Sequence, residues 1–401
     1  MDDKEPPSDG ESGIKNSNNT SVALLDSRKE VDSKHDLEEI LLEPNPELGE
    51  IAVLNSAVLQ KENIFAYRSE KIIDSAKDKG FQELTAFERT SDVKFRRLTS
   101  PMTLDQEWDV KLPFKYPIVS LEDPDISKFG NIFNICAVEY DTENAQIYLF
   151  KTKDFKTIIP QGIISPDISL KRAIEIVEDN RYKQMWTQQY TERLRNLVRL
   201  GAEGKRRYQK LGLKLWDKDM IFEEKKKQVS LIHRFFPDVH ITIAENIKEL
   251  QNTEYCEDYL AHITDHILIT AKSLGYDRIG MKAKAKIGDK TISLLHGARK
   301  INKVWTYETR LVEMVNNQIV SITEPILIPS DQDIFPYINI EGRKSEKRVV
   351  IGSSLLVDEK NDKIYVYYNS GDRILKVKEF SATNLYEKLN HPLSRELAMA
   401  A

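Results

Sequence analysis

Two cysteines, Cys136 and Cys256, stand in a chain of 401 residues. That is too few for a disulfide framework, and it points to a reduced, cytoplasmic protein. No apolar run approaches the ~20 residues that a membrane span needs. The opening Met1-Asp-Asp-Lys-Glu-Pro-Pro lacks the apolar stretch of a signal peptide, so neither secretion nor a membrane anchor is expected. Paired Cys or His/Cys spacings of metal-binding type are missing too, and no metal is expected. Charge of one sign is not in excess: 59 Lys and Arg face 64 Asp and Glu, for a net charge of -5. A general polyanion binder is thereby excluded, and no nucleic-acid partner is expected.

What is present is enough apolar residue for a large core, 40% of the chain, in one repeat-type domain or two ordinary ones. Residues 1–35 are rich in Ser, Asp, Asn and Lys, and are expected to form a disordered tail. From about residue 50 short strand-like runs follow one another. They include Ile51–Leu59, Asn63–Arg68, Asn131–Val138, Ala145–Phe150, Lys227–Arg234, Val239–Ile243, Lys290–Gly297, Trp305–Val312, Lys363–Tyr368 and Arg373–Val377. A polar turn entering an apolar strand, a loop and a second strand recur five times, entering near 62, 131, 227, 290 and 362. Recurrent antiparallel units of this size predict an all-β fold, a five-bladed β-propeller spanning 36–390, with 391–401 as a C-terminal tail. Two stacked all-β domains are the alternative.

One interval, about 166–214, reads as a helical insertion. Ile174 and Val177, then Leu194, Leu197 and Val198, have helical spacing, and Ser169 is placed to cap. From 169 to 214 there are 12 Lys and Arg against 5 Asp and Glu. Few aromatics are interleaved for base stacking, which favours a solvated helical hairpin packed on a blade over a nucleic-acid surface.

Two sets of residues carry chemistry. Glu122 and Asp123 lie in Leu121-Glu-Asp-Pro124, read as a polar turn between strands. Pro124 stiffens it, and paired carboxylates are the usual means of breaking glycosidic bonds. Lys218, Arg234, Arg278 and His296 stand at or near strand ends. Gathered at one end of successive blades they would surround an oxyanion, whose charge and geometry suit ammonium and guanidinium groups.

Beyond those two sets, Leu54-Asn-Ser-Ala57, Phe65-Ala-Tyr-Arg68, Thr152–Thr157, Lys218–Lys225, Leu231-Ile-His-Arg234, Leu294-Leu-His-Gly297, Thr323–Leu327 and Tyr365–Asp372 occur in one order along the chain. With Leu121–Pro124, this series resembles glycoside hydrolase family 130, the β-mannoside phosphorylases and β-mannosidases, over roughly residues 45–390. The resemblance implies a five-bladed propeller with Asp123 as proton donor. It implies Asn55, Ser56, Arg68, Glu122 and Asp372 as residues that hold the mannose. Lys218, Arg234, Arg278 and His296 match the phosphate-binding positions, with Lys218 and Arg278 as charge-preserving exchanges. Asp125 departs from the family, which usually has Arg there. Met281-Lys-Ala-Lys-Ala-Lys286 stands where the family has a Gly-Pro-Pro-rich segment.

The implied reaction is inverting. Asp123 gives its proton to the departing oxygen, relayed through the mannose 3-hydroxyl. Phosphate attacks the anomeric carbon from the opposite face, giving α-mannose 1-phosphate; the reverse reaction makes β-mannosides. Inorganic phosphate is the co-substrate and no cofactor is implied. The expected partners are a mannose-containing oligosaccharide or mannose 1-phosphate, and a homo-oligomer is allowed. A β-mannosyltransferase, a β-mannosidase and a non-catalytic carbohydrate-binding propeller are the alternatives.

Overall fold

The computed structural model describes residues 37–73, 76, 78, 89–113, 120–140, 144–199, 213–338, 344–391, 394–396 and 399. The expected tail over 1–35 lies outside them. Strand β1 (Glu38–Leu42) precedes a first sheet of β2 (Glu50–Leu59), β3 (Ile64–Ile72), β4 (Arg89–Ser100) and β5 (Thr103–Leu104). A second sheet holds β6 (Ser120–Phe129), β7 (Ile132–Tyr140), β8 (Ala145–Thr152) and β9 (Ile158–Ile163). Two helices follow, α1 (Leu170–Ile176) and α2 (Asn180–Arg199). The third sheet is β10 (Lys218–Lys225), β11 (Gln228–Arg234), β12 (Val239–Ala244) and, after helix α3 (Thr253–Ala261), β13 (Ile267–Ile269). The fourth is β14 (Arg278–Ile287), β15 (Lys290–Ile301), β16 (Val304–Val315) and β17 (Gln318–Ile322). After β18 (Ile334–Ile338) come β19 (Lys344–Asp358), β20 (Lys363–Ser370), β21 (Ile374–Ser381) and helix α4 (Ala382–Asn390). The fifth antiparallel set is β19, β20 and β21 with β1 at its edge, so residues near the start of the described chain complete the last set. A short parallel pairing of Trp305–Tyr307 with Lys347–Val349 joins the fourth set to the fifth.

The first strands of the five sets meet in a cycle: β2 touches β6, β6 touches β10, β10 touches β14, β14 touches β19, and β19 returns to β2. Between neighbours lie five apolar layers. Ala57, Phe95, Ile135 and Phe150 fill the first, between the first and second sheets. Val138, Leu149, Met220 and Phe222 fill the next, then Ile221, Ile232, Met281 and Leu295. Leu294, Leu311, Val350 and Val366 follow, and Val53, Phe65, Tyr367 and Val377 bring the last set against the first. Side chains alternate faces along a strand. Met220 and Phe222 therefore serve one layer while Ile221 serves the next, and Leu294 and Leu295 part in the same way. Strands covered on both faces read as continuous apolar runs, which is why β3, β7, β11, β15 and β20 were visible in the sequence.

Two sequence expectations need correction. The repeat points near 62, 131, 227, 290 and 362 are the hairpin turns between the first and second strands of each set, so each unit begins one strand earlier. Glu122 and Asp123 are not in a turn. They lie inside β6, where the register slips between Glu122 and Asp125. This β-bulge leaves Pro124 outside the ladder, so its missing N–H costs no hydrogen bond.

The helical segment is anchored at its start. Ser169 caps α1 by accepting from the Arg172 N–H at 3.2 Å. Tyr182 and Trp186 are fully buried beside Phe235 and Tyr259. Leu194 is exposed, and residues 200–212 lie outside the described set. Among the described residues no helix is long and apolar enough to cross a membrane.

Asp125 ties the second sheet to the third: its Oδ2 accepts from the Phe222 N–H at 2.8 Å. Burial pushes its carboxyl up to about 6, against the pull of that N–H. A folded value above the unfolded one, ~3.9, means that the folded state holds the proton longer. Stability is therefore full below the unfolded value and declines as pH rises through about 6. Asp125→Asn keeps an acceptor for Phe222 and removes the titration. Its melting temperature relative to wild type is expected to rise between pH 4.5 and pH 8; a difference independent of pH contradicts this account.

Candidate active site

In each set the first strand is bulged at one level. The slips fall between Leu54 and Ala57, Glu122 and Asp125, Lys218 and Ile221, Lys282 and Lys284, and Gly352 and Ser354. Four of these bulges contain a residue with left-handed backbone: Asn55 (φ 41°), Asp123 (φ 50°), Asp219 (φ 51°) and Ala283 (φ 57°). Asn and Asp tolerate this region better than other side-chain-bearing residues, which explains the Asx residues at three of the four. A bulge re-aims the side chains around it.

On one side of the centre, the Asn55 amide donates to the Asp123 carboxylate. Asn55 is itself fixed by Asn369, whose Oδ1 accepts the Asn55 N–H at 2.7 Å and whose amide donates to the Asn55 Oδ1. Ser56 is turned away, its hydroxyl 2.8 Å from the Ser353 Oγ and 2.6 Å from the Ser354 Oγ, where it pins β2 to β19. Glu122 receives Arg68 Nη2 at 2.7 Å on Oε1 and Lys218 Nζ at 2.6 Å on Oε2. Burial would raise the Glu122 pKa, but Arg68 and Lys218 outweigh it and hold the carboxylate below its ordinary range. Burial likewise works against the Arg68 charge, while Glu122, Glu70, Asp123 and Asp372 overcome it and push its pKa up. Lys218 lies 4.2 Å from the Tyr140 ring centroid, so it is committed to Glu122 and an aromatic face rather than extended alone.

On the other side, Asp219 Oδ2 stands 2.9 Å from Arg234 Nε and 3.5 Å from His296 Nε2. Its burial penalty is overcome by Arg234 first and His296 second, and its carboxyl is held far below the usual carboxylate range. Arg278 packs over Trp305 and Tyr307, 4.7 and 5.2 Å from the ring centroids, and donates to the Tyr307 hydroxyl. Burial, with the like charge of Arg234, lowers its pKa to about 10. Asp372, at φ 50°, pairs with Lys347. Its burial is offset by Lys347, Arg68 and Arg89, which keep it ionised. Gly280 faces Asp219 and His296: a Cβ there would lie 2.4 Å from Asp219 Oδ2 and 2.6 Å from His296 Nε2.

The two sides are one site. Arg68 feels both Asp123 and Asp372, and Arg278 feels Asp372, Asp219 and Arg234. Of the residues singled out in the sequence, Asn55, Arg68, Glu122, Asp123, Lys218, Arg234, Arg278, His296 and Asp372 therefore converge, and Ser56 supports from behind. Two were not singled out. Asp219 repeats in the third sheet the bulge position of Asp123 in the second, a likeness visible once Glu122-Asp-Pro and Lys218-Asp-Met are aligned. Lys282 is 2% exposed, and its Nζ lies 3.9 Å from Asp123 Oδ1.

Solved structures with this fold include β-1,2-mannobiose phosphorylase from Listeria innocua in complex with β-1,2-mannobiose. It superposes with a TM-score of 0.53 at 13% identity, covering 90% of this chain and 95% of that one. Another comes from work showing that the GH130 family of mannoside phosphorylases contains glycoside hydrolases that target β-1,2 mannosidic linkages in Candida mannan, with a TM-score of 0.52, 10% identity and coverage of 88% and 96%. A glycosyl hydrolase from Bacteroides ovatus gives 0.52 at 12% identity, covering 86% and 91%. These structural neighbours include GH130 proteins, in agreement with the resemblance read from the sequence, and at such identities they establish the shared fold. No family model matches the sequence, and no curated protein matches it.

Removing one partner of a buried ion pair costs about 3–5 kcal/mol. Asp219→Asn is expected to destabilise the protein by that order at pH 7 in urea titrations. A carboxyl held below its unfolded pKa contributes stability above ~3.9 and loses it as pH falls further, so the deficit is full at pH 7 and shrinks below ~4, by about 1 kcal/mol at pH 3. A deficit of the same size at both pH values contradicts the pairing.

Proposed function

We propose that the chain is a glycoside phosphorylase acting on β-mannosides, built as a closed five-bladed β-propeller. The cyclic contact of the five first strands and the five apolar layers between them support closure. The observation that carries the function is the meeting, in one site, of a hydrogen-bonded carboxyl, Asp123, with Arg234, Arg278 and His296. The acid serves the leaving group and the cations serve phosphate, with the sugar between them. Asp123 protonates the departing oxygen through the mannose 3-hydroxyl. A phosphate oxygen attacks the anomeric carbon from the opposite face, the glycosidic bond breaks, and α-mannose 1-phosphate forms. Run backward, phosphate leaves and an acceptor sugar is mannosylated. Asn55, Arg68, Glu122 and Asp372 hold the mannose. Lys218 acts through Glu122, by fixing that carboxylate. Inorganic phosphate is the co-substrate, and the protein works in the cytoplasm.

Asp219 favours a second reading. A carboxylate in this position competes with phosphate for Arg234 and His296, and it can orient an attacking water by accepting its hydrogen bond, although its depressed pKa makes it a weak base. Hydrolysis of the mannoside is the reaction that arrangement would serve.

Phosphate release from α-mannose 1-phosphate, measured over a panel of acceptor sugars, separates these roles. Asp123→Asn removes the transferable proton and should lower turnover by about 10²–10⁴-fold while sugar binding persists. Arg234→Ala removes a charge-assisted contact of roughly 1.5–3 kcal/mol, so apparent phosphate affinity should weaken about tenfold or more. Wild-type protein that binds mannosides but releases no phosphate with any acceptor contradicts the phosphorylase reading.

A further inference from the structure

Lys282 is a buried ammonium group that the reaction above does not use. Its Nζ has no hydrogen-bond partner among the described residues. Asp123 Oδ1 at 3.9 Å is beyond hydrogen-bond reach. Asp125 and Asp219 feel its charge, so it sits among three carboxylates of the second and third sheets. A lysine is almost never fully buried unless it is paired, and a buried donor left without an acceptor is costly. Its neighbours on β14 add a direction. Residues 278, 280 and 282 lie on one face of the strand. Arg278 Nε also has no hydrogen-bond partner. Between them is Gly280, where any side chain would strike Asp219 and His296. The face therefore runs cation, a glycine packed close against Asp219 and His296, cation, with Arg278 at the Arg234 end and Lys282 at the Asp123 end.

We propose that Lys282 is a substrate-contacting specificity residue, donating to a hydroxyl or ring oxygen of the glycosyl group bound beside Asp123. This rests on reading the cavity as a sugar site. The ammonium then gains the acceptor that the protein itself withholds, and the sugar is gripped by a charge on the acid side while phosphate is gripped on the other. The positive charge next to Asp123 comes from the fourth sheet, across the centre from the first sheet's Asn55.

Lys282→Met keeps length and volume and removes the charge. Calorimetric binding of mannose, α-mannose 1-phosphate and inorganic phosphate, with melting temperature, tests the assignment on the full chain. Affinity for mannose and α-mannose 1-phosphate is expected to fall about ten- to hundredfold, the size of a charge-assisted contact. Affinity for inorganic phosphate is expected to hold. Melting temperature is expected to stay level or rise, because an apolar side chain replaces a buried ammonium that makes no hydrogen bond among the described residues. Weakened phosphate binding with intact sugar binding overturns the placement on the sugar side. A fall in melting temperature with intact sugar binding overturns the proposal outright, since Lys282 would then be a structural counter-ion of Asp123 and Asp125. If wild-type protein binds neither sugar, the mannoside reading fails by itself. The melting temperature of the variant then decides: a rise supports a charge kept for a ligand, and a fall assigns it to the fold.

Discussion

Burying one carboxylate without a partner costs several kcal/mol, and the centre of this fold buries Glu122, Asp123 and Asp219 together, with Asp372 half-buried. No single sheet carries the cations to balance them. Glu122 of the second sheet is met by Arg68 from the first and Lys218 from the third. Asp219 of the third is met by Arg234 beside it and His296 from the fourth. Glu122 is thus balanced only when the first, second and third sheets are docked in order, while Asp219 has one partner in its own sheet and one in the next. The apolar layers supply the general attraction between sheets, and the charges select which sheets meet and at what level.

The helical segment joins this arrangement rather than decorating it. Tyr182 of α2 donates its hydroxyl to Asp238 at 2.9 Å, and that carboxylate also accepts the Ala271 N–H at 2.8 Å. Nearby, His233 is held by Asp217 at 2.7 Å and by Thr242 at 2.7 Å, beneath Phe235 and Tyr259. His233 immediately precedes Arg234. The helices therefore pack on the strand end that aims a site cation, which gives the segment a part in positioning it.

How much of this was legible in the sequence follows from burial. The second strands of the sets, such as Ile132–Tyr140 and Lys290–Ile301, are covered on both faces and announce themselves as apolar runs. The first strands β6, β10 and β14 line the centre and carry Glu122-Asp-Pro, Lys218-Asp and Lys282-Ala-Lys. Hydrophobic periodicity is weakest there, and those strands were missed, although they hold most of the chemistry. Asp123, Arg234 and His296 were found through motif order, not through strand assignment. A bulge has no apolar signature, so Glu122-Asp-Pro read as a turn. Asp219 and Lys282 passed unremarked because a lone Asp or Lys in a charged chain becomes significant only when its burial is known. Asp125, which departs from the Arg that the family usually has there, is occupied by the Phe222 N–H.

The central claim is that the cations beside Asp219 hold phosphate against the face of a sugar whose leaving group Asp123 protonates. The most direct measurement is proton NMR of the anomeric product formed from a β-mannoside with and without inorganic phosphate. The account predicts α-mannose 1-phosphate, formed only when phosphate is present. Free mannose released at the same rate without phosphate would contradict it and assign the site to hydrolysis.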